Sequence, residues 1–316
     1  MDNRLTKSNL KSRWLGGNLI IYPATHSGLE LHVDQSSGDD NYTGLDWDHP
    51  LATIQAAVDK CGDGVGDTIY VAPGKYTENV LIADHASIKI IAPFEGWETR
   101  IRMSDATTKY PFTPVGGSAT ACPGCGFNVL SRSVEIAGFI LDGGGGYGGI
   151  YIGDGYRIDT GYDENSASAF IHDCYFRGGG EGLYGIVCDG ASDDVRIENN
   201  RFRLQTLESI LLDPGGSRTT QNPIIYRNFF EQTASGKYAI DMYNSNTTVG
   251  AIVRENFFSD KTGVNGYSCR FQGTGVHHFV GNYDCSNGGA TGSATDYMCG
   301  NFEAHAMNSP VYVAES

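Results

Sequence analysis

Residues 197–202 read IENNRF, residues 225–230 read IYRNFF and residues 253–258 read VRENFF. Each stretch opens on an apolar residue, places Asn three positions on and an aromatic five positions on. Two further stretches fit with one change apiece. IHDCYF (171–176) carries Cys174 at the Asn position, and FVGNYD (279–284) carries Asp284 at the aromatic position. From Cys174 through Asn200, Asn228, Asn256 and Asn282 the spacings are 26, 28, 28 and 26 residues. A fixed period of this size marks a stacked repeat architecture, in which each unit buries its apolar face only against its neighbours.

Each unit holds a second short apolar stretch after a glycine-rich or polar turn: GIVCDG (185–190), SILLDP (209–214), AIDMYN (239–244) and GYSCRF (266–271). GIYIGD (149–154), following SVEIAGFILDG (133–143), precedes them. Short strands at a period near 27 predict parallel coils stacked about 4.8 Å apart. Ile171, Ile197, Ile225, Val253 and Phe279 then form one inward column, and Ile150, Ile186, Ile210 and Ile240 another. The recurring Asn falls at a bend, where its side chain can hydrogen-bond to its copy in the next coil and satisfy polar groups the bend leaves open. Cys174 and Asp284 mark the ends of the regular run.

Upstream, TIYVA (68–72), NVLI (79–82) and SIKIIA (87–92) predict strands of the first coils. PLATIQAAVDKC (50–61) predicts a helix. Leu51, Ile54, Val58 and Cys61 share a face, Pro50 suits the first turn and Gly62 the C-terminal cap. Such a helix can close the apolar end of a solenoid. Residues 116–126 and 155–168 read as loops or side insertions. The predicted organisation is an arm over 1–32, a lead-in strand and capping helix over 33–62, an all-β right-handed single-stranded parallel β-helix over 63–302, and a tail over 303–316.

Composition agrees. The 43 glycines in 316 residues are about 14%, twice the usual share, without a Gly-X-Y period, which excludes collagen and points to many tight turns. Twenty-two Lys and Arg against 37 Asp and Glu give a net charge of −15, against a nucleic-acid partner. No apolar run reaches the length of a membrane span, and residues 1–14 lack the apolar core of a signal peptide, so export by the general route is not expected. Eight cysteines in so long a chain suggest buried thiols rather than a disulfide scaffold.

Residues 33–82 resemble the opening of right-handed parallel β-helix proteins of the pectin-lyase-like superfamily. The matching elements are Val33-Asp34, the loop at Gly38-Asp39-Asp40, the stretch from Ala52 to Val58, Gly66-Asp67-Thr68-Ile69 and Val71-Ala72-Pro73-Gly74-Lys75-Tyr76. The Asn-bearing coils extend the likeness to about residue 302. The resemblance implies the fold. For function it leaves polysaccharide lyases, glycoside hydrolases, esterases, phage tailspikes and non-catalytic virion proteins open. Its sugar-cleaving members use a groove along the outside of the coils. The Arg-x-Pro-x-x-Arg element of pectate lyases has no match here, nor do the Asn-x-Asp, Asp-Asp and Gly-His-Gly elements of polygalacturonases taken together; Asp193-Asp194 stands without the others.

Two outward stripes could carry chemistry. The residue after each inward one in the first strand gives His172, Glu198, Tyr226 and Arg254, a set with a base, an acid and a cation for β-elimination. The competing reading is a solvated ladder. In the second strand Asp189, Asp213 and Tyr243 align, with carboxylates about 5 Å apart, as in a retaining glycosidase. Asp189 precedes Gly190 and Asp213 precedes Pro214, so turn formation accounts for them equally. No metal or cofactor is expected. Cys122-Pro-Gly-Cys125 lacks a second pair, His277-His278 alternate in direction, and Asp39, Asp40 and Asn41 read as a turn. Outward apolar columns (Tyr151, Val187, Leu211; and Phe170, Ile224, Ile252) suit either a subunit contact, such as a trimer, or cover by the chain's own insertions.

Residues 1–14 carry Arg4, Lys7, Lys11 and Arg13 against Asp2, a local +3 that leaves −18 for the rest. With Trp14 and the strand-like run that follows, they read as an attachment arm. Residues 13–23, RWLGGNLIIYP, resemble segments at the start of phage structural proteins. The expectation is a non-catalytic virion protein, assembled in the host cytoplasm and displayed on the virion surface as a homotrimer. It would bind a larger capsid or tail protein through residues 1–32 and contact surface glycans; neither nucleic acid nor membrane is an expected partner. The alternatives are a polysaccharide lyase or glycoside hydrolase working in an outer groove, and an adhesive glycan-binding module without chemistry.

Overall fold

The computed structural model describes residues 10–15, 18–23, 28–83, 85–93, 99–102, 125–142, 148–153, 155–156, 163–164, 168–178, 184–189, 192–212, 220–231, 234–242, 248–259, 266–271, 276–285, 290, 297–299, 301–303 and 311–312. Short strands separated by tight turns wind into a right-handed parallel β-helix with three walls. The first wall runs Glu30–Val33, Thr68–Val71, Lys89–Ile91, Glu135–Ala137, Phe170–His172, Arg196–Glu198, Ile224–Tyr226, Ile252–Arg254, His278–Val280, Tyr297–Cys299. The second starts at Gly74–Thr77, Thr99–Arg102 and Ile140–Asp142. It continues through Tyr175–Arg177, Arg201–Arg203, Phe229–Glu231, Phe257–Ser259, Tyr283–Cys285 and Phe302–Glu303, where Val311–Tyr312 closes it antiparallel. The third holds Val80–Ile82, Cys125–Val129, Gly148–Gly153, Tyr184–Asp189, Ile210–Leu212, Tyr238–Met242 and Tyr267–Arg270.

Both expected inward columns form. Ile171, Ile197, Ile225, Val253 and Phe279 pair in register, continuing to Met298. Ile150, Ile186, Ile210 and Ile240 do so on the third wall, continuing to Cys269. The aromatics at the fifth position make a third column. Phe176, Phe202, Phe230 and Phe258 stack face to face with centroids 4.6, 5.0 and 4.9 Å apart. The coil rise imposes that spacing, so identical residues at identical register must stack in parallel. Burying each such ring contributes about 1.5–3 kcal/mol. Asp284 takes the next place in the column and is 2% exposed.

The bend between the first and second walls is a two-residue corner. Its leading residue is left-handed in coil after coil: Gly138, Asp173, Asn199, Arg227, Glu255 and Gly281, with φ between 53° and 84°. At Gly138 a Cβ would lie 2.3 Å from the carbonyl oxygen of Ala92, so only glycine fits that coil. The corner's second residue is the predicted Asn. Asn200, Asn228, Asn256 and Asn282 are 1–2% exposed, and each side-chain Nδ2 donates to the Oδ1 of the next at 3.1 Å. Each Oδ1 also accepts the preceding rung's backbone N–H, as Asn228 does from Asn200 at 2.9 Å. Each Nδ2 reaches a carbonyl of the coil below, as Asn228 does to Ile197 at 2.8 Å. The last acceptor is Asn301, a rung the periodicity missed because it follows Asn282 after 19 residues. Cys174 opens the ladder, its backbone N–H donating to Asn200 Oδ1 at 2.9 Å.

Some boundaries differ from expectation. The helix spans Ile54–Val58, five residues rather than twelve. Leu51 is drawn into a parallel bridge with Val33, and Thr53 becomes the N-cap, its hydroxyl accepting from Ala56 N. Glu78 completes the cap by accepting the N–H groups of Ile54 and Gln55, both at 3.1 Å. Ile54, Ala57 and Val58 are buried, as a lid requires. Gly62 does not take a left-handed cap; its N–H donates to Asp67 at 2.6 Å. Stacking begins before residue 63, since Glu30–Val33 already pairs with Thr68–Val71. Cys125 and Gly126 belong to a third-wall strand rather than a loop, and 155–168 contains a small hairpin of Gly155–Tyr156 with Asp163–Glu164. Among the described residues Cys61, Cys125, Cys174, Cys188 and Cys269 are buried cysteines and Cys285 is half-buried, and none of the six is joined in a disulfide. Burial pushes the Cys61 and Cys174 thiols up to about 12, so neither is a nucleophile at neutral pH.

Candidate functional site

On the third wall, register sets Asn128, Tyr151, Val187, Leu211, Asp241 and Arg270 in one outward column. Val187 is 1% and Leu211 6% exposed, so this apolar column is covered within the single chain and is not a subunit surface. One coil on, the column turns ionic. Asp241 is 1% exposed and takes both Arg270 Nε (2.6 Å) and Nη2 (2.5 Å) in a bidentate bond. Hydrogen bonding to Asp241 raises the Arg270 pKa further, fixing the guanidinium as a permanent cation. That guanidinium lies over the Tyr238 ring at 4.8 Å, and Tyr238 stacks on Tyr267 at 4.8 Å. Beside them, Lys237 Nζ stands 3.3 Å from Glu208 Oε1.

The layering within this cluster decides what it can do. The carboxylate side chains are 2% (Asp241) and 8% (Glu208) exposed, whereas Arg270 and Lys237 are 25% and 37% exposed. Carboxylates lie beneath and cations face outward. Buried charges persist only when paired, and these are. In this arrangement the site offers oriented cations and tyrosine edges to a ligand. Acid–base work by Glu208 or Asp241 requires a ligand to displace their cations first. Sequence reasoning missed this cluster. The available signal was the extension of the Tyr151–Val187–Leu211 column by 30 and then 29 residues, where loops longer than the ladder period hid it.

The first-wall stripe is assembled as predicted: His172, Glu198, Tyr226 and Arg254 occupy successive rungs. Each is engaged by a neighbour on its own coil or the next. His172 lies between Glu135 (3.2 Å) and Asp173 (2.7 Å). Glu198 is bonded by Arg196 at 2.7 Å. Tyr226 is flanked by Arg254 and Arg227, their guanidinium carbons 4.4 and 4.6 Å from its ring centroid. Glu135 also bonds Lys89. Burial alone would raise the Glu135 pKa, but its bonds to Lys89 and His172 outweigh burial and hold it below 4.5. The four residues thus line one face in single file. The expected apolar column Phe170, Ile224, Ile252 is not continuous. Arg196 sits between Phe170 and Ile224, its guanidinium 4.8 Å from the Phe170 ring centroid, because the strand trades an apolar contact for a cation–π one.

Asp189 ends the strand Tyr184–Asp189 opposite Gly153. Asp213 and Tyr243 lie outside the described residues, as do Arg4 and Lys7 of the arm and Cys122. Lys11, Arg13 and Trp14 lie in Leu10–Leu15, which pairs antiparallel with Asn18–Pro23 to form a two-stranded ribbon. Asp39 forms the expected turn, accepting from Asn41 N at 2.9 Å and Nδ2 at 2.7 Å.

No known protein-family description matches the sequence, and no curated protein resembles it closely enough to match. The fold, however, has solved counterparts. A protein described as XylC in complex with xylose superimposes with a TM-score of 0.51 at 12% identity, over 87% of this chain and 68% of the other. A family GH136 lacto-N-biosidase from Eubacterium ramulus gives 0.52 at 12% identity, over 87% of this chain and 56% of the other. The chain spans little more than half the length of that enzyme. Likeness at such identity establishes the shared parallel β-helix architecture.

Proposed function

We propose that this chain is a non-catalytic β-helix displayed on a virion surface, holding to a larger capsid or tail protein through residues 1–32 and contacting host glycans along its walls. One observation carries the reading. Among the described side chains of the first and third walls, Glu135 is matched with Lys89 and His172, Asp241 with Arg270 and Glu208 with Lys237 from neighbouring coils, and Glu198 with Arg196 of its own strand. Such pairing builds a rigid contact face. The ribbon of Leu10–Leu15 and Asn18–Pro23 supports attachment, since an isolated two-stranded hairpin is marginal in water and gains stability when a partner adds to it. Half-buried Ile224 and Ile252 on adjacent coils suit side-by-side association as a homotrimer. That both structural counterparts are named for sugars, xylose and lacto-N-biose, agrees with glycan contact.

The test is deletion of residues 1–23, which leaves the Glu30–Val33 rung of the first wall in place, with native mass measurement of the isolated chain and quantification of particle incorporation. Incorporation is expected to vanish while the β-helix keeps its trimeric mass. Unchanged incorporation would remove the attachment role, and a monomeric mass would remove the trimer. A second reading, a glycoside hydrolase or polysaccharide lyase, draws on the two nearly buried carboxylates Glu208 and Asp241 on neighbouring coils. It requires turnover of some polysaccharide by the intact chain, lost on Glu208→Gln or Asp241→Asn.

A further inference from the structure

Exposed apolar surface gathers at one end of the stack. Of the eight large apolar side chains that are well exposed among the described residues, five lie between Leu29 and Val65. Three of those five, Tyr42, Leu45 and Trp47, belong to one loop, residues 34–50, that folds over the first rung of the first wall. His32 N donates to Gly44 O at 2.7 Å, and the His32 ring lies 4.6 Å from Trp47 and 5.8 Å from Tyr70, its neighbour on the next rung. The loop is tied down along its length. Gly44 N donates to His49 O at 3.1 Å, and the Asp46 carboxylate accepts the N–H groups of Asp48 and His49 at 3.1 and 2.8 Å. Asp40 accepts those of Ala52 and Thr53, both at 2.9 Å. A loop so firmly held that still turns Leu45 (53% exposed) and Trp47 (44%) to water presents a contact surface.

Charge says what suits it. Residues 28–83 hold ten carboxylates against Lys60 and Lys75, a net −8 of the chain's −15 in less than a fifth of its length. Asp39, Asp40, Asp46 and Asp48 are exposed on the same loop as the apolar side chains. A segment that fits must be basic and carry apolar residues. Residues 1–13 are such a segment: Arg4, Lys7, Lys11 and Arg13 against Asp2, with Leu5 and Leu10 among them. After Arg13 no Lys or Arg follows until Lys60.

The ribbon brings this segment to the right end. Leu15 pairs with Asn18 and Leu10 with Pro23, so the chain doubles back and Leu10 stands beside a residue only seven positions before Glu30. Seven residues reach at most about 25 Å, and the nine before Leu10 about 30 Å. The loop's Trp47 meets His32, two positions beyond Glu30. The loop is therefore within reach of the arm of its own chain.

We propose that residues 1–13 dock on the Tyr42–Leu45–Trp47 face of the same chain, with their cations against the loop's carboxylates and over its aromatic rings. Cations over tryptophan and tyrosine add to the charge pairing. The tether keeps the arm at an effective concentration of about millimolar, so a modest intrinsic affinity suffices. Seated there, the arm is withdrawn from other partners, and engagement elsewhere requires its displacement. This contact goes beyond the attachment role and does not depend on it, since particle incorporation reads that role and coverage of the arm reads this one.

Trypsin cuts after Arg4 and Lys7, so its rate on the full chain, against that on a free peptide of residues 1–15, measures the coverage. At low salt cleavage is expected to be about tenfold slower in the chain, and to approach the peptide rate as salt rises. Asp46→Asn/Asp48→Asn should restore fast cleavage with an unchanged thermal midpoint, whereas Glu255→Gln, an exposed carboxylate many coils away, should leave protection intact. If the double variant misfolds, Leu45→Ser carries the same expectation. Carbodiimide cross-linking of mixed isotope-labelled and unlabelled chains identifies the source of the arm. Links from Lys7 or Lys11 to the loop within one chain support the proposal, and links formed only between chains would reject it in favour of exchange between copies. Peptide-like cleavage in the intact chain, or protection that survives in the folded loop variants, would overturn it.

Discussion

The Asn column at the first corner and the His172–Glu198–Tyr226–Arg254 column on the adjacent wall come from the same repeats, two residues apart in sequence. Inside, Asn200, Asn228, Asn256 and Asn282 repeat one residue, because each must both donate to and accept from its neighbours in a buried site. Outside, no two of the four residues match, because water can satisfy each and neighbours need only be compatible. A polar ladder is uniform where burial makes its bonds obligatory and varied where it does not. The third wall is the instructive intermediate: Asp241 and Arg270 face outward, yet Asp241 is as buried as the asparagines.

That ranking is open to measurement. Asn228→Ala should cost most, about 3 kcal/mol or more in chemical denaturation, since it strands the Asn200 N–H and the Ile197 carbonyl together. A loss near that of a surface residue would break the comparison. Arg270→Gln should follow at about 2–3 kcal/mol, less than for a fully buried pair because the guanidinium is a quarter exposed. Adding Asp241→Asn should restore part of the loss by removing the stranded charge, and no recovery would mean that packing rather than charge is at stake. The smallest effect concerns Glu135. Its pKa is held below 4.5, so its contribution is present above that pH and disappears as pH falls through the lowered folded value. Glu135→Gln should therefore flatten the acid limb of the stability profile by less than about 1 kcal/mol, the pair being partly solvated. An unchanged acid limb would show the outer ladder to be energetically idle.

Reading the chain as a string revealed the walls, the corner and two inward columns, and it overstated the lid. The pattern Leu51, Ile54, Val58, Cys61 is helical in period, yet Leu51 is buried through a bridge to Val33. Periodicity cannot tell a helix face from a strand that leads into one. Asn301 escaped because the last coil shortens, and Arg196 was passed over because an apolar column was traced only through its apolar members.

Local repetition determined the fold because every coil meets nearly the same neighbours. One register shift would expose all the inward side chains together, so a single repeat unit already specifies how the next must sit. The candidate sites have no such redundancy. Glu208, Lys237, Asp241 and Arg270 stand at unequal sequence separations set by loop length. Their meeting is a property of the stack, where burial and the sign of the surrounding charge are settled.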